Sequence, residues 1–337
     1  MWKCTFIACF CCLISYYSYA QSAAENEKTF CDPSVFGQPR PKFLQITRGT
    51  SSSFPVQNIS QFEGFENGNA QVADNSTLEI KLNAPVLLKP GLKIFTGVKY
   101  FKEDFEFTNV ASPVDLYFQN LHRKSLRSLR GTLYGIKSFR GNTYLVTRFS
   151  ASLNGDMKSS GVNADDDFLN FSVAALLGWK KNDSFAYGFG LAYTNMFGVN
   201  RIYPVVGLEK SFNQNWGFEA LLPKTASIRY VTTDRKNNFY STLCLDGGAY
   251  RINLPQLLPN QDLILQRNEV QFKLNYEREI YDWIWFGIEA GVRRYIGADL
   301  TLPGDRQTVI YDTQFGTNAF ANFSLFLVPP RKLLERF

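Results

Sequence analysis

The sequence predicts an all-β protein: a transmembrane, antiparallel, up-and-down β-barrel of about fourteen strands. Three observations predict it. Hydropathy alternates with period two from about residue 43 onward, the connections alternate between tight turns and longer links, and the tryptophans cluster beside the tight turns. Segments 43–54 and 216–222 carry the weakest alternation, so twelve strands stay open as a count.

The chain starts with targeting signals. Met1-Trp2-Lys3 is weakly positive, Cys4 to Ile14 is apolar, and Ser18-Tyr19-Ala20 places small residues at the −3 and −1 positions. Residues 1–20 therefore read as a secretory signal peptide cut before Gln21, too short in its apolar part to anchor a helix. Cleavage would leave only Cys31 and Cys244, which is no disulfide scaffold; their different surroundings favour two separate thiols over a pair. Residues 21–42, ending in Pro39-Arg40-Pro41, are polar and aperiodic, as expected of an unstructured periplasmic leader.

Residues 43–337 form the expected barrel. Strands are expected at 43–54, 76–88, 91–103, 126–139, 143–155, 168–181, 184–197, 202–213, 216–222, 226–236, 239–252, 268–281, 283–297 and 315–328. Over 269–277, Val270, Phe272, Leu274 and Tyr276 alternate with Glu269, Gln271, Lys273, Asn275 and Glu277. Over 284–296, Ile284, Phe286, Ile288, Ala290 and Val292 alternate with Trp285, Gly287, Glu289, Gly291, Arg293 and Tyr295. Such strands have one aromatic-rich apolar face and one polar or small face. Lys89-Pro90-Gly91, Arg140-Gly141-Asn142, Lys181-Asn182-Asp183, Asn213-Gln214-Asn215, Lys236-Asn237-Asn238 and Tyr281-Asp282 read as tight turns. Mostly longer links separate them, at 55–75, 104–125, 155–167, 198–201, 223–225, 253–267 and 298–314. Short turns on one side and long loops on the other are the pattern of an outer-membrane barrel, and an even strand count puts both ends of the barrel on the short-turn side. Trp179, Trp216, Trp283 and Trp285 all lie near a short turn and read as an interfacial aromatic girdle.

Composition narrows the function classes. An aromatic fraction of 15% with a mean hydropathy of −0.19 excludes a polytopic helical protein but not a barrel wall facing lipid. A single histidine leaves little room for His-based zinc sites or catalysis. Alternation turns Glu79, Lys81, Lys93, Lys99, Arg148, Lys180, Glu209, Glu219, Arg229, Asp246, Glu269, Lys273, Glu277, Glu289 and Arg293 into the lumen. The near balance of sign favours a lattice of ion pairs over a selective ring. The inward Gly and Ala run at 186–192 either seats a plug such as the leader or matches bulky residues across the bore. Leu221-Leu222-Pro223 interrupts the pattern and reads as a bulge, or as a lateral opening for apolar solutes.

Other chemistry is weak. His122, with Ser125 and Asp115 nearby, is the material of an outer-rim hydrolase, but it sits in a basic loop that fixes no geometry and suits contact with lipopolysaccharide. Asp165-Asp166-Asp167 with Asp156 offers carboxylates to a divalent ion without the glycine spacing of a calcium loop, so no metal site is assigned. No cofactor fingerprint is present, and the aromatics facing lipid leave no nucleic-acid platform.

The end of the leader at Ala20-Gln21, the Leu222-Pro223-Lys224 break and the strand pairs around Trp216 and Trp283 resemble an outer-membrane β-barrel family of Bacteroidota that carries no assigned function. The resemblance covers roughly 43–337 and implies a location rather than an activity. One departure is that Val328 is followed by Pro329-Pro330 and a tail ending in Phe337, so either Phe326 or Phe337 could supply the terminal aromatic read by the barrel-assembly machinery. The expected partners are outer-membrane lipid, lipopolysaccharide and that machinery. The first expected function is a passive channel or small-solute transporter, and the second a non-conducting accessory barrel that docks a partner through its outer loops.

Overall fold

The structure, a computed structural model, describes residues 30–61, 67–110, 116–123, 125–156, 169–195, 200–253, 262–302 and 308–334. The expected signal peptide, Asp115, the Asp165–Asp167 run and Phe337 lie outside the described residues. The strands are β1 (Leu44–Ser51), β2 (Phe54–Ser60), β3 (Gly68–Lys89), β4 (Leu92–Thr108), β5 (Leu126–Ser138), β6 (Thr143–Gly155), β7 (Leu169–Asn182) and β8 (Phe185–Thr194). They continue with β9 (Arg201–Ser211), β10 (Trp216–Leu222), β11 (Thr225–Val231), β12 (Asn237–Asn253), β13 (Asp262–Tyr281), β14 (Ile284–Thr301), β15 (Val309–Phe315) and β16 (Asn318–Leu327). Helix α1 (Leu116–Arg123) and a single turn α2 (Arg331–Leu334) complete the described elements.

These strands close into an antiparallel barrel with fourteen wall positions. β1 and β2 are one wall strand broken at Ser52-Ser53, and β15 and β16 are another broken at Gly316-Thr317. Closure runs through β1, whose Leu44 stands opposite Leu327 of β16 on one side and Leu82 of β3 on the other. Closure gives most of the wall a partner on both sides, and an open edge in hydrocarbon would leave backbone groups unpaired at several kcal/mol each. Both ends of the wall lie on the short-turn side. There the turns lie at or beside the expected positions, except that the β11–β12 turn spans 232–236 and Asn237 and Asn238, expected in it, already pair within β12. Gly91 and Gly141 have φ of 74° and 86°, the left-handed conformation that favours glycine.

The long links are shorter than expected, because the strands run on into them. β2 and the start of β3 occupy much of 55–75, β13 begins at Asp262, and β14 and β15 take up parts of 298–314. The physical reason is an inversion of the alternation along single strands. In the lower part of β13, Lys273, Gln271 and Glu269 face inward and Phe272, Leu274 and Tyr276 face out. Beyond Arg267 the inward positions become Leu265 and Leu263, both buried. The same change occurs in β4, from Lys99 to Phe105 and Phe107, and in β12, from Asp246 to Tyr250 and Ile252. Register shifts at Val72/Asp74 and Asn268/Glu269 accompany it. The barrel therefore has two storeys. The lower is apolar outside and polar inside. The upper, away from the short turns, is filled by Phe54, Val72, Phe105, Phe107, Tyr250, Ile252, Leu263, Leu300 and Phe315, with Phe118 and Leu121 of α1 inserted among them. Each such buried side chain contributes on the order of 1.5–3 kcal/mol.

The upper storey is narrower than the lower. β12 leaves the wall to meet β6, a strand that is not its neighbour below: Arg251 pairs with Gly155, and Asp156 N donates to Arg251 O at 3.0 Å. Asn154 Nδ2 donates to Ala249 O at 3.3 Å, and Asn253 N donates to the Asp156 carboxylate at 3.1 Å. Asp156 thus serves this bridge.

The leader departs from expectation. Residues 30–43 are ordered across the short-turn mouth instead of hanging free. Cys31 N donates to Phe139 O at 3.1 Å, Phe36 N to Asp183 O at 3.0 Å, and Phe43 N to Leu327 O at 2.8 Å. These contacts carry the segment from the β5–β6 turn past the β7–β8 turn to the start of β1. Cys31 and Val35 are buried against Tyr144 and Ala186.

Candidate functional site

The candidate site is the lumen of the lower storey, built from inward positions of strands that are far apart in sequence. Its ceiling is an ion-pair girder. Glu103 of β4 is completely buried and lies 2.5 Å from Arg267 Nη1 and 3.6 Å from Arg293 Nη1. Glu269 lies 3.8 Å from Arg293 and 4.0 Å from Arg267. Asn75 of β3 donates Nδ2 to Glu103 at 3.1 Å and accepts from Arg293 Nη2 at 2.8 Å. Both guanidinium groups lie over the Tyr295 ring, at 5.7 and 5.3 Å. The girder thus joins β3 and β4 to β13 and β14 beneath the dry upper core. Two acids against two bases, with hydrogen bonds from Asn75 to Glu103, from Gln271 to Glu269 and from Arg293 to Asn318, are what lets four charges be buried together.

Below it lies a cavity of about 350 Å³. Glu79 pairs with Lys81 at 2.6 Å and with Lys99, and Glu289 pairs with Lys273 at 3.4 Å while accepting from Asn322 at 2.7 Å. On the opposite side, Arg130, Lys224 and Asp246 line the cavity, with Arg148 close by.

The leader covers the mouth. Arg40 pairs with Glu279 at 3.2 Å and Asp282 at 3.0 Å, Lys42 pairs with Glu277, and Gln38 donates to Glu209 at 2.9 Å. Arg229, buried, pairs with Glu219 and donates to Phe36 O at 3.2 Å and to Ser211 Oγ at 2.8 Å. Arg331 of α2 shares Glu279 and Asp282 with Arg40. Lys93 reaches Asp32 at 3.8 Å, and Lys180 reaches Asp183 at 3.0 Å. A second cavity of about 330 Å³ lies between the leader and the wall, beside Arg40, Glu277, Trp285 and Phe326. Burial pushes the Cys31 thiol above its ordinary pKa. Cys31 and Cys244 are both free thiols.

The wall is interrupted on one side. β10 and β11 have seven residues each and join through the Pro223-Lys224 turn. Among the described residues, β9 pairs only with β8 over Arg201–Val205, and β12 pairs only with β13 from Asp246 until Arg251 meets Gly155. A gap in the ladder therefore stands above this turn, flanked by exposed Leu221 and Leu222.

The charged residues expected to face inward group into separate sets: a girder (Glu269, Arg293), a chamber set (Glu79, Lys81, Lys99, Arg148, Asp246, Lys273, Glu289) and a mouth set (Lys93, Lys180, Glu209, Glu219, Arg229, Glu277). Sequence reading missed Glu103, Arg130, Lys224 and Arg267. Parity with Lys99 already placed Glu103 inside β4; Arg267 sits where the alternation inverts, so no run of polar inward positions marked it. The girdle needs a correction. Trp216 and Trp283 are exposed, and Trp179 stacks on Tyr187 at 5.7 Å. Trp285 is 3% exposed, lies inside against Phe326 and beneath Arg40, and belongs to the mouth. It alternates with outward Phe286, so proximity to a turn did not decide its face. Phe326 is likewise turned inward, under Lys42. Of the inward small residues, Ala186 packs with the leader's Cys31 and Val35, and Gly188 and Gly207 lie beneath Leu176 of the neighbouring β7, not beneath a residue from across the bore. His122 and Ser125 are not joined. His122 Nδ1 accepts from Phe107 N at 3.1 Å, and Ser125 donates to Asp104 at 2.5 Å.

Among known families, one described as a domain of unknown function (DUF6268) matches residues 108–324. No curated protein matches the chain. Among solved structures it is similar to the Pseudomonas putida toluene transporter TodX, with 10% identity, 89% of this chain and 96% of that one covered, and a TM-score of 0.37. It is also similar to an outer membrane channel from Pseudomonas putida F1, with 6% identity, coverage of 90% and 100%, and a TM-score of 0.41. The monoaromatic hydrocarbon channel CymD gives 7% identity, coverage of 86% and 89%, and a TM-score of 0.33. Overlaps this loose carry no argument about a solute, and none of them speaks to the source phylum.

Proposed function

This chain belongs to DUF6268, a family of unknown function, and we propose that it is a plugged conduit for a small solute in the bacterial outer membrane. The observation that carries this reading is the chamber of about 350 Å³ in the lower storey. A barrel serving only as a structural post would fill its bore with side chains, as the upper storey does. The dry core and girder close the axial path on one side, and the leader covers the other. Lateral access through the gap between β9 and β12 leaves the chamber reachable from the membrane side, and displacement of the leader completes the path.

The lipid-facing aliphatic and aromatic positions support the outer-membrane location, with lipid and lipopolysaccharide around the wall and the barrel-assembly machinery acting at insertion. The axial seal also favours a second reading, a non-conducting accessory barrel. Planar-bilayer conductance and solute uptake into proteoliposomes separate the two. The conduit should show low basal passage that rises several-fold when residues 30–43 are deleted. No passage above protein-free bilayers, in the full chain or the deletion, would establish the accessory reading instead.

A further inference from the structure

We infer that Arg130, Arg148 and Lys224 form a site for the head of an organic anion whose apolar body lies along β7, β8 and β9. The site deepens the conduit reading and rests on it for the way the ligand arrives.

The first observation is a charge left over. Lys81 and Lys99 share Glu79, Lys273 has Glu289, and Arg267 and Arg293 hold Glu103 and Glu269. Among the described residues, Arg130, Arg148 and Lys224 make no ion pair and no side-chain hydrogen bond. They stand close enough to act on one another electrostatically: Arg148 is within range of Arg130, and Lys224 is within range of both. Asp246 is the acid facing Lys224 and Arg130; it is shared with Lys99 and accepts from Gly247 N at 3.1 Å, so a single carboxylate stands against more than one of these cations. Seven basic and four acidic side chains line the cavity, so its interior carries a surplus of positive charge. Confined cations of one sign repel in a medium of reduced dielectric, and an anion between them relieves that repulsion.

The second observation is the neighbouring wall. Arg148 stands opposite Ala174 in the register, Ala174 opposite Ala192, Gly190 opposite Val205, and Gly188 opposite Gly207. This sector of the inner wall is uncharged and mostly small, with Tyr203 opposite Ala192 and Leu176 lying across its glycines. It runs up to the gap, where Leu221 and Leu222 are exposed. An inorganic anion would use the charges and leave this wall bare; a carboxylate on a short alkyl chain uses both.

The test is equilibrium dialysis of radiolabelled octanoate against the full chain in zwitterionic lipid nanodiscs, with empty nanodiscs as the blank and heat-modified gel mobility as the folding control. One saturable site is expected, weakened about tenfold or more by Lys224→Gln and by Arg148→Gln and held within about threefold by Lys224→Arg. Lys224 sits in a turn, so its variant decides the matter if Arg148→Gln fails to fold. No saturable binding, equal binding of octylammonium, or undiminished affinity in folded Lys224→Gln would overturn the site. Inorganic phosphate binding as tightly as octanoate would overturn its apolar half. Octanoate binding without solute flux would keep this site and remove the conduit; flux without octanoate binding would do the reverse.

Discussion

Glu103→Gln is the sharpest test of the two-storey barrel. Glu103 is fully buried, with Arg267 Nη1 at 2.5 Å, Arg293 Nη1 at 3.6 Å and Asn75 Nδ2 at 3.1 Å. The substitution keeps the shape and one acceptor but leaves two buried guanidinium groups facing Glu269 alone, at 3.8 and 4.0 Å. Removing one partner of a buried network costs about 3–5 kcal/mol. Because Glu269 still neutralises part of the charge, a value near the lower end, about 3 kcal/mol, is expected. Urea unfolding in lipid vesicles, followed by tryptophan fluorescence, measures it. Glu289→Gln is the internal reference: its Lys273 partner is 3.4 Å away and the two side chains are 23% and 19% exposed, so about 1 kcal/mol or less is expected. Combining Glu103→Gln with Arg267→Gln should be non-additive by about 2 kcal/mol. If the two single variants fall within 1 kcal/mol of each other, the girder is not the ceiling that the geometry makes it.

Other outcomes follow from packing and chemistry. A Cβ at Gly178 would lie 2.3 Å from the Tyr144 ring, so Gly178→Val should push Tyr144 from under Cys31 and Val35 and cost about 1–3 kcal/mol, read as a lowered unfolding midpoint. Leu274 is 55% exposed on the outer face, and Leu274→Arg should cost up to about 2–4 kcal/mol in vesicles while changing little in a soluble detergent. The thiolate is the reacting form, and burial raises the Cys31 pKa, so less of it is ionised at any given pH than in an unfolded chain. Its alkylation should therefore be slow near neutral pH, speed up as pH rises, and speed up at fixed pH in Gly178→Val; equal rates in folded and unfolded protein would contradict the leader's placement.

Much of the wall was legible because it depends on near neighbours in sequence. Alternation at 269–277 and 284–296 fixes which side chains meet lipid, and the short turns fix which strands pair. The limits were local as well. Trp285 was grouped with Trp283 by nearness to a turn, although the two alternate across the wall. The ends of β3, β13 and β14 were read as loops because their alternation inverts, which a pattern search for one apolar face scores as noise. The inversion marks where the barrel exchanges a wet interior for a dry one.

The amino-acid sequence by itself determined a closed, membrane-spanning antiparallel barrel, since a period of two and turn chemistry act within a few residues. Only the tertiary structure decided what fills that barrel. Glu103 and Arg267 lie 164 residues apart and meet across the bore, and Lys42 finds Glu277 at a separation of 235. No sequence spacing encodes such meetings; they arise when closure brings inward faces of distant strands within reach of one another. That closure pairs most of the interior charge, seats the leader in the mouth, and leaves Arg130, Arg148 and Lys224 with no salt bridge among the described residues, Asp246 being the acid that faces Lys224 and Arg130.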